Sequence, residues 1–548
     1  MVITEFLERN ARYNGREVAL VEINPTEERD SATSWKEASL IEQANEGTPY
    51  RREITWKHFD KMSNRVANYL LAKDIKRGTK VGILMMNCLE WLPMYFGVLK
   101  AGCVVVPLNY RYTADEIKYC VDLADIELLI FGPEFISRID EIIDDMPGLV
   151  AKLFIGKPEE TPAYAKDFVR LMGYYSSDQV PVKLEEDDIA AIYFSSGTTG
   201  FPKAILHRHK ALVASCETEQ AHHGQQAGDV FLCIPPLYHT GAKMHWFGSL
   251  ISCSKTVILR GIKPEWILRT VTEEKCTIVW LLVPWAQDIL DAIDDGRINL
   301  EEHLTSQWRL LHIGAQPVPP SLIKRWLTKF PHHQYDTNYG LSESLGPGCV
   351  HLGVENIDKV GAIGKAGYHW ETKIINPDGS EITEPEKVGE LAVKGPGVML
   401  GYYKNQEATD EILHGEWLYT GDMAKMDEDG FIFLVDRKKD VIISGGENLY
   451  PVQIEDYLRA NDKIKDVAVI GLPDARLGEI AAAIIELKPG VESSEEEINE
   501  FCIDLPRYKR PRKIIFADVP RNPTGKIEKP VLRERYNAVP LVEAQIRS

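Results

Sequence analysis

Tyr193–His207, YFSSGTTGFPKAILH, is the stretch on which the reading of this chain turns. Its lead-in, Ile189 to Phe194, is short, apolar and preceded by acidic residues, which predicts a buried strand delivering a loop to a pocket edge. In that loop Ser195, Ser196, Thr198 and Thr199 supply hydroxyls, Gly197 and Gly200 let the backbone bend closely around a ligand, and Lys203 adds a cation. These are the parts of a polyphosphate cradle. The pattern G-x-x-x-x-G-K-[ST] is absent, because Phe201 and Pro202 separate Gly200 from Lys203, so a nucleotide loop of another kind is implied. Alone, such a loop reads equally well as a solvated turn.

Outward from the loop, Val81 to Met85 and Val104 to Leu108 predict buried strands joined by a helix from Cys88 to Lys100. That β-α-β unit implies a parallel sheet, extended by a strand near Glu127 to Phe131 and an amphipathic helix. Phe6 to Tyr13 and Trp56 to Lys73 have helical apolar spacing, and between them lies a polar, acidic insert, Asn24 to Pro49, that reads as a surface loop. Further along, PPLYHTGAKMHW (Pro235 to Trp246) predicts a strand running into a helix. Val279 to Val283 and Leu310 to Ile313 are strands, the latter ending in Gly314, Ala315 and Gln316. NYGLSES (Asn338 to Ser344) gathers an aromatic ring, hydroxyls and a carboxylate just after a strand. YTGD ends in Asp422. Phe431 to Val435 alternates as a strand, and DRKKD (Asp436 to Asp440) breaks that alternation with charge. The remainder is the size of a small separate domain, opening on VIISGGENLYP and carrying RNPTGKIEK near its end, where Lys526 sits on a Pro/Gly loop.

A chain of 548 residues exceeds what one core normally serves, and 44% hydrophobic with 26% charged residues is ordinary for a globular protein. With 63 basic against 82 acidic residues the net charge is −19, which disfavours nonspecific binding to nucleic acid or anionic membranes. Any phosphorylated ligand therefore needs local cations. The nine cysteines occur singly, without metal-ligand spacing, which fits reduced thiols in a cytosol. No signal-peptide pattern opens the sequence, and the longest apolar runs, such as Thr277 to Trp285, are too short to span a bilayer. A cytoplasmic protein without a membrane span is expected.

SSGTTGFPK, followed in order by NYGLSES, YTGD, DRKKD and PTGK, resembles the signature set of the adenylate-forming superfamily: acyl-CoA and aryl-CoA synthetases, adenylation domains and firefly-type luciferases. The match covers nearly the whole chain. It implies an α/β fold with a large N-terminal domain of stacked β-sheets and helices (1–438) and a small, mobile α+β C-terminal domain (439–548) rotating about a hinge near Lys439. It places ATP or AMP against Ser195, Ser196, Gly197, Thr198, Thr199, Gly200, Lys203, Gly314, Ala315, Gln316, Asn338, Tyr339, Gly340, Ser342, Asp422 and Arg437. In this likeness Tyr339 stacks on adenine, Ser342 donates to the α-phosphate, Glu343 holds Mg2+, and Asp422 accepts from the ribose hydroxyls. Glu343, His239 and Lys526 form the catalytic group, with Lys526 serving adenylation and His239 gating the carboxylate pocket without an acid/base role. The acyl pocket falls to His239, Lys243, Trp246 and Gly314, and the coenzyme A channel to Ser444, Gly445, Gly446 and Glu447. Relatives more often carry threonine at Ser342 and Ser344, and they pass the position of the acidic insert with a shorter hairpin.

The activity implied is adenylation of a carboxylic acid with Mg-ATP, releasing pyrophosphate, then acyl transfer to CoA. His239, Lys243, Trp246, Trp285 and the Gly314 turn favour a medium-chain, alicyclic or aromatic acid. An adenylation enzyme that loads a carrier-protein thiol or an amine is the first rival, although His239 lies where amino-acid-activating relatives use an aspartate. A noncatalytic nucleotide- or acyl-binding protein is the rival of another class, and it has no need of Lys526. The partners expected are the acid, ATP and CoA, with no nucleic acid; a homodimer is one of the assemblies left open.

Overall fold

The computed structural model describes residues 1–25, 50–195, 202–314, 318–445, 447–521 and 527–537. They divide into two compact units. The first is built from the chain up to Thr372 together with Val393–Leu418, the second from Lys373–Ala392 and the chain from Tyr419 on.

In the first unit an eight-stranded sheet runs in the order Gly401–Tyr402, Ala204–Arg208, Ile189–Phe194, Val104–Pro107, Lys80–Leu84, Ile126–Phe131, Ala151–Phe154, Lys166–Asp167. From Ile189–Phe194 to Lys166–Asp167 its neighbours are parallel, whereas Ile189–Phe194 and Ala204–Arg208 form an antiparallel pair. Gly401–Tyr402 adds antiparallel to that pair. A second, seven-stranded sheet has the order Gln334–Asp336, Leu310–Gly314, Ile278–Leu282, Val230–Cys233, Lys255–Leu259, Val18–Asn24, Tyr50–Thr55. It is parallel except for its last pair, in which Asn24 faces Tyr50. Asn24 thus belongs to a strand and not to the insert; residues 26–49 lie outside the described residues.

Side-chain alternation explains why both faces of the eight-stranded sheet are covered. Val81, Ile83, Val105, Leu128 and Ile130 point into a core shared with the inner face of the other sheet and with the helices Ile3–Tyr13, Trp56–Ala72, Trp91–Lys100, His209–His223 and Thr240–Ser252. Leu84, Val104, Val106, Leu129 and Phe131 point the other way, against Ala114–Leu123. Trp91–Lys100 is buried along its whole length. Burying its Lys100 is tolerable because the ammonium donates to Asp60 at 2.6 Å and to the Asn64 side-chain oxygen at 2.7 Å.

In the second unit, Ile464–Asp474 and Gly478–Leu487 form a long antiparallel pair, with Lys513–Phe516 parallel to the latter. Ile442–Ser444 and Glu447–Leu449 extend the same sheet. Alternation again buries both faces: Val467, Val469, Ala481, Ala483 and Ile485 on one, Ala468, Ile470, Ala482 and Ile484 on the other. The strand read as ending at Val435 continues through Asp436 and Arg437, and the turn is confined to Lys438–Asp440. Its alternation is interrupted by charge because Asp436 is buried as a backbone acceptor, taking hydrogen bonds from the Arg437 and Val452 amides at 2.7 and 2.9 Å.

Candidate active site

The serine- and glycine-rich loop read as a phosphate cradle is bounded by a paired neck, Ser195 and Lys203. The Ser195 amide donates to the Lys203 carbonyl and the Lys203 amide returns to Ser195 Oγ, each at 3.0 Å. Backbone register therefore sets where the loop begins and ends, and the Lys203 side chain departs from its foot. Its ammonium lies 4.7 Å from the ring centre of Tyr402, a cation–π contact. Tyr402 in turn donates its hydroxyl to Glu343 Oε1 at 2.8 Å. Burial, and then the neighbouring Glu343 carboxylate, hold the Tyr402 phenol above its ordinary pKa, so it remains a donor. Lysine, tyrosine and glutamate thus form one chain of contacts from the neck of the SSGTTGFPK loop to the NYGLSES segment.

That segment is held just as firmly. Glu343 occupies a short turn, Ser342–Ser344, closed by the Leu341 amide donating to Ser344 Oγ at 2.9 Å and by Leu345 in the left-handed region at φ 65°. The Met399 amide donates to the Glu343 carbonyl at 2.8 Å. His207, fully buried, lies with Nε2 2.8 Å from the Ser342 carbonyl. Burial pushes its pKa down to about 4, so the ring is neutral; since a carbonyl only accepts, Nε2 carries the proton.

Asn338 and Tyr339 begin the adjoining strand, and both are buried. Asn338 donates its amide to Glu219 Oε1, a buried carboxylate on the helix His209–His223. Gly314 ends the neighbouring strand, where a β-carbon would meet Asn338 Oδ1 at 3.4 Å and both His312 Nε2 and Trp280 Nε1 at 3.5 Å. Glycine leaves that polar corner clear for a ligand.

His239 is the cap of the helix Thr240–Ser252: its Nδ1 accepts from the Gly241 amide at 3.2 Å. Gly241 permits close approach of Trp280, whose ring would lie 2.9 Å from a β-carbon there. Trp246 is fully buried against Phe59 and Phe96, with ring centres 5.8 and 5.5 Å away, in the core of the first unit. Trp285 is half-buried on the helix Val283–Asp294.

Within the second unit, Asp422 and Arg437 are register partners on antiparallel strands, and Arg437 Nε reaches Asp422 Oδ1 at 2.6 Å. Gly421, at φ 71°, turns the chain so that its amide donates to Glu390 Oε1 at 3.0 Å, while the Asp422 amide donates to Thr420 Oγ1 at 3.1 Å. The buried carboxylate of Asp422 is therefore fixed from both backbone and side chain. Lys438 pairs with Glu390 at 2.7 Å, Asp440 with Arg533 at 2.7 Å, and Lys439 between them is exposed. Ser444 pairs in register with Glu447, and Gly445 takes φ 61° at the reversal, where its amide donates to the Leu477 carbonyl at 2.7 Å.

Ser196, Gly197, Thr198, Thr199, Gly200, Ala315, Gln316, Gly446 and Lys526 lie outside the described residues, as do the side chains of Lys243 and His245. Tyr402 and His207 were not read from the sequence as site residues. Tyr402 stands far from the signature motifs in sequence, and the pairing of Gly401–Tyr402 with Ala204–Arg208, with the Met399–Glu343 backbone bond, brings it to them.

The residues present fit a magnesium ion. Glu343 offers a hard carboxylate donor, and the Tyr402 hydroxyl on Oε1 orients the remaining oxygen, Oε2, as a ligand.

The chain belongs to the AMP-binding enzyme family, whose description matches residues 29–403, followed by the AMP-binding enzyme C-terminal domain over 453–526. It is 32% identical to a long-chain-fatty-acid–CoA ligase of Mycobacterium tuberculosis over 88% of this chain and 93% of that one. It is 30% identical, over 87% and 93% of the two chains, to a Rhodococcus jostii CoA ligase named for a methyl-dioxo-octahydroindenyl propanoyl group. Among solved structures it resembles ATP-bound MatB from Rhodopseudomonas palustris, with a TM-score of 0.84 and 25% identity across 98% of this chain and 99% of that one.

Proposed function

We propose that the chain is an AMP-forming carboxylic acid:CoA ligase acting on a medium-chain, alicyclic or aromatic acid. The observation that carries the reading is the Lys203–Tyr402–Glu343 chain at the neck of the phosphate loop, which sets a cation and an oriented carboxylate where a nucleotide's phosphates are expected. The names of the Mycobacterium tuberculosis and Rhodococcus jostii relatives, both CoA ligases, support the acceptor.

A carboxylate must be activated because its oxygen is a poor leaving group. Its attack on the α-phosphate of ATP brings two anions together and expels pyrophosphate. Bound magnesium would supply positive charge where negative charge accumulates on the phosphates. Glu343 would hold that ion, with Tyr402 donating to the oxygen turned away from it. Lys203 and the loop hydroxyls would receive the departing phosphates, and Ser342 would donate to the α-phosphate. Its turn is fixed by neutral His207. Tyr339 would stack on the adenine beside Gly314 and Asn338, and Asp422 would accept from the ribose. For that, the Asp422 carboxylate exchanges part of its engagement with Arg437 for the sugar hydroxyls, leaving the guanidinium to face phosphate. Lys526 would bridge acid and α-phosphate in adenylation. Ser444–Glu447 would line the path of CoA, after the C-terminal domain has turned about Lys439 and closed the acyl-adenylate from water. His239 and Gly314 would border the acyl group, with the Trp280 ring beside both.

The test measures AMP and pyrophosphate with Mg-ATP and a panel of short, medium, aromatic and alicyclic acids, with and without CoA. AMP formation requiring both acid and CoA is expected. Pyrophosphate exchange without CoA turnover would give the reaction to a carrier protein or amine, and the absence of any nucleotide turnover would sink the enzymatic reading.

A further inference from the structure

Behind Asn338, and separate from the Glu343 carboxylate, lies a buried cluster that the adenylation chemistry does not use. His312 and Asp336 are direct register partners on adjacent parallel strands, so their side chains leave the same face of the sheet. His223 arrives from the last turn of the helix His209–His223, which ends at Gly224 in the left-handed region at φ 55°. His223 Nε2 lies 3.0 Å from Asp336 Oδ2 and 3.0 Å from His312 Nδ1. One donor atom from each of the three residues lies within 4.8 Å of the others, and all three residues are at most 3% exposed.

A single hydrogen on His223 Nε2 cannot serve a carboxylate and an imidazole nitrogen equally, whereas one cation accepts lone pairs from all three atoms. Tetrahedral zinc, with bonds of about 2.0–2.1 Å, sets its ligand atoms about 3.3 Å apart, within a few tenths of an ångström of the two 3.0 Å separations. The surroundings suit a ligand set as well. His223 Nδ1 faces Glu219 Oε2 at 3.4 Å, an arrangement that keeps the Nε2 lone pair directed at the cluster. Asp336 is steadied by the Gly353 amide on Oδ1 at 2.9 Å and by His351 Nδ1, 3.2 Å from Oδ2. The helix C-terminus adds its negative end.

We infer that His223, His312 and Asp336 supply three ligands of a site for a divalent transition-metal ion of zinc type, with Glu219 and His351 as the supporting shell. Imidazole nitrogen with one carboxylate selects such an ion over magnesium or calcium. Closed off from solvent, it would be loaded during folding and would tie the helix His209–His223 to the strands Leu310–Gly314 and Gln334–Asp336. The bond between Glu219 and Asn338 joins this shell to the candidate nucleotide segment.

The test uses full-length, nucleotide-free protein purified without metal-affinity resin and dialysed against EDTA. Elemental analysis is expected to find about one equivalent of transition metal per chain. Protein stripped under mild denaturation and refolded with Co2+ should gain visible d–d absorption, which persists in Glu343→Gln and is lost in His312→Asn and Asp336→Asn. Glu219→Gln should weaken Co2+ binding about 10- to 100-fold. Wild-type protein that holds less than about a tenth of an equivalent and shows no Co2+ absorption after refolding would overturn the inference, leaving a hydrogen-bonded ion pair. That result needs no variant to fold, and it is independent of whether the acid:CoA ligase reading stands.

Discussion

Tyr402 illustrates how one side chain links charges that the sequence keeps far apart. Its ring receives the Lys203 ammonium on one side and its hydroxyl holds Glu343 on the other. Substitution Tyr402→Phe keeps the buried ring and the cation–π contact but removes the donor to the carboxylate. A hydrogen bond to a charged group contributes about 1.5–3 kcal/mol, so kcat/KM for Mg-ATP is expected to fall about 10- to 100-fold while the melting temperature changes little. Steady-state kinetics over a magnesium series check this, and raised magnesium should restore part of the loss. Unaltered kinetics at every magnesium concentration would show that Glu343 needs no orientation from Tyr402.

At the scale of elements, the buried ion pairs show what the sequence could not announce. Lys529 begins the helix Lys529–Asn537 and is almost wholly buried, with its ammonium 2.8 Å from Glu455 Oε1 on the helix Pro451–Arg459. Glu455 Oε1 also accepts from the Val469 amide at 2.8 Å, so the pair fastens two helices to the long strand pair of the second unit. Lys529→Met leaves buried Glu455 with only the longer pair to Arg459, 3.7 Å from Oε2, and is expected to lower stability by about 3 kcal/mol, read by denaturant unfolding. The double variant Lys529→Met, Glu455→Gln should recover part of that loss; failure to recover would mean that the Glu455 pair is not what Lys529 contributes, leaving its packing and its charge toward buried Asp436. In the sequence this lysine was only the last residue of RNPTGKIEK. By contrast, apolar runs such as Ile189–Phe194, Val104–Pro107 and Leu310–Gly314 were legible as strands because period and length suffice to bury them on both faces. The loop glycines and hydroxyls, read as a cradle, lie outside the described residues apart from Ser195 at the neck. What escaped reading was every partnership made across the sheet: Tyr402 with Glu343, His207 with Ser342, and His312 with Asp336. Long-range pairing has no local period, and the charge in Asp436 and Arg437 disguised the end of a strand as a turn.

For the whole molecule, a net charge of −19 makes the nucleotide's phosphates unwelcome except where fixed cations stand, and the two half-reactions need those cations at different moments. Adenylation crowds negative charge at the α-phosphate. Thioester formation begins after pyrophosphate has left and needs a narrow path for a long thiol. We propose that Lys526 serves the first and the Ser444–Glu447 turn the second, and the two substitutions that separate them should give mirror-image defects. Lys526→Ala, given Mg-ATP and free acid, is expected to lose about 10²- to 10³-fold in rate, the usual cost of removing one preorganised charge-stabilising group. Supplied with synthetic acyl-adenylate and CoA, the same variant should run close to the wild-type rate. Gly445→Val forces a branched residue to φ 61°, with its β-carbon 3.2 Å from Leu477 Cδ2. It should spare pyrophosphate exchange and slow transfer to CoA. Rapid-quench measurement of each half-reaction reads both. If Lys526→Ala fails as badly from acyl-adenylate as from ATP, its lysine is not confined to adenylation; if Gly445→Val slows both halves alike, the turn does not belong to the thiol path.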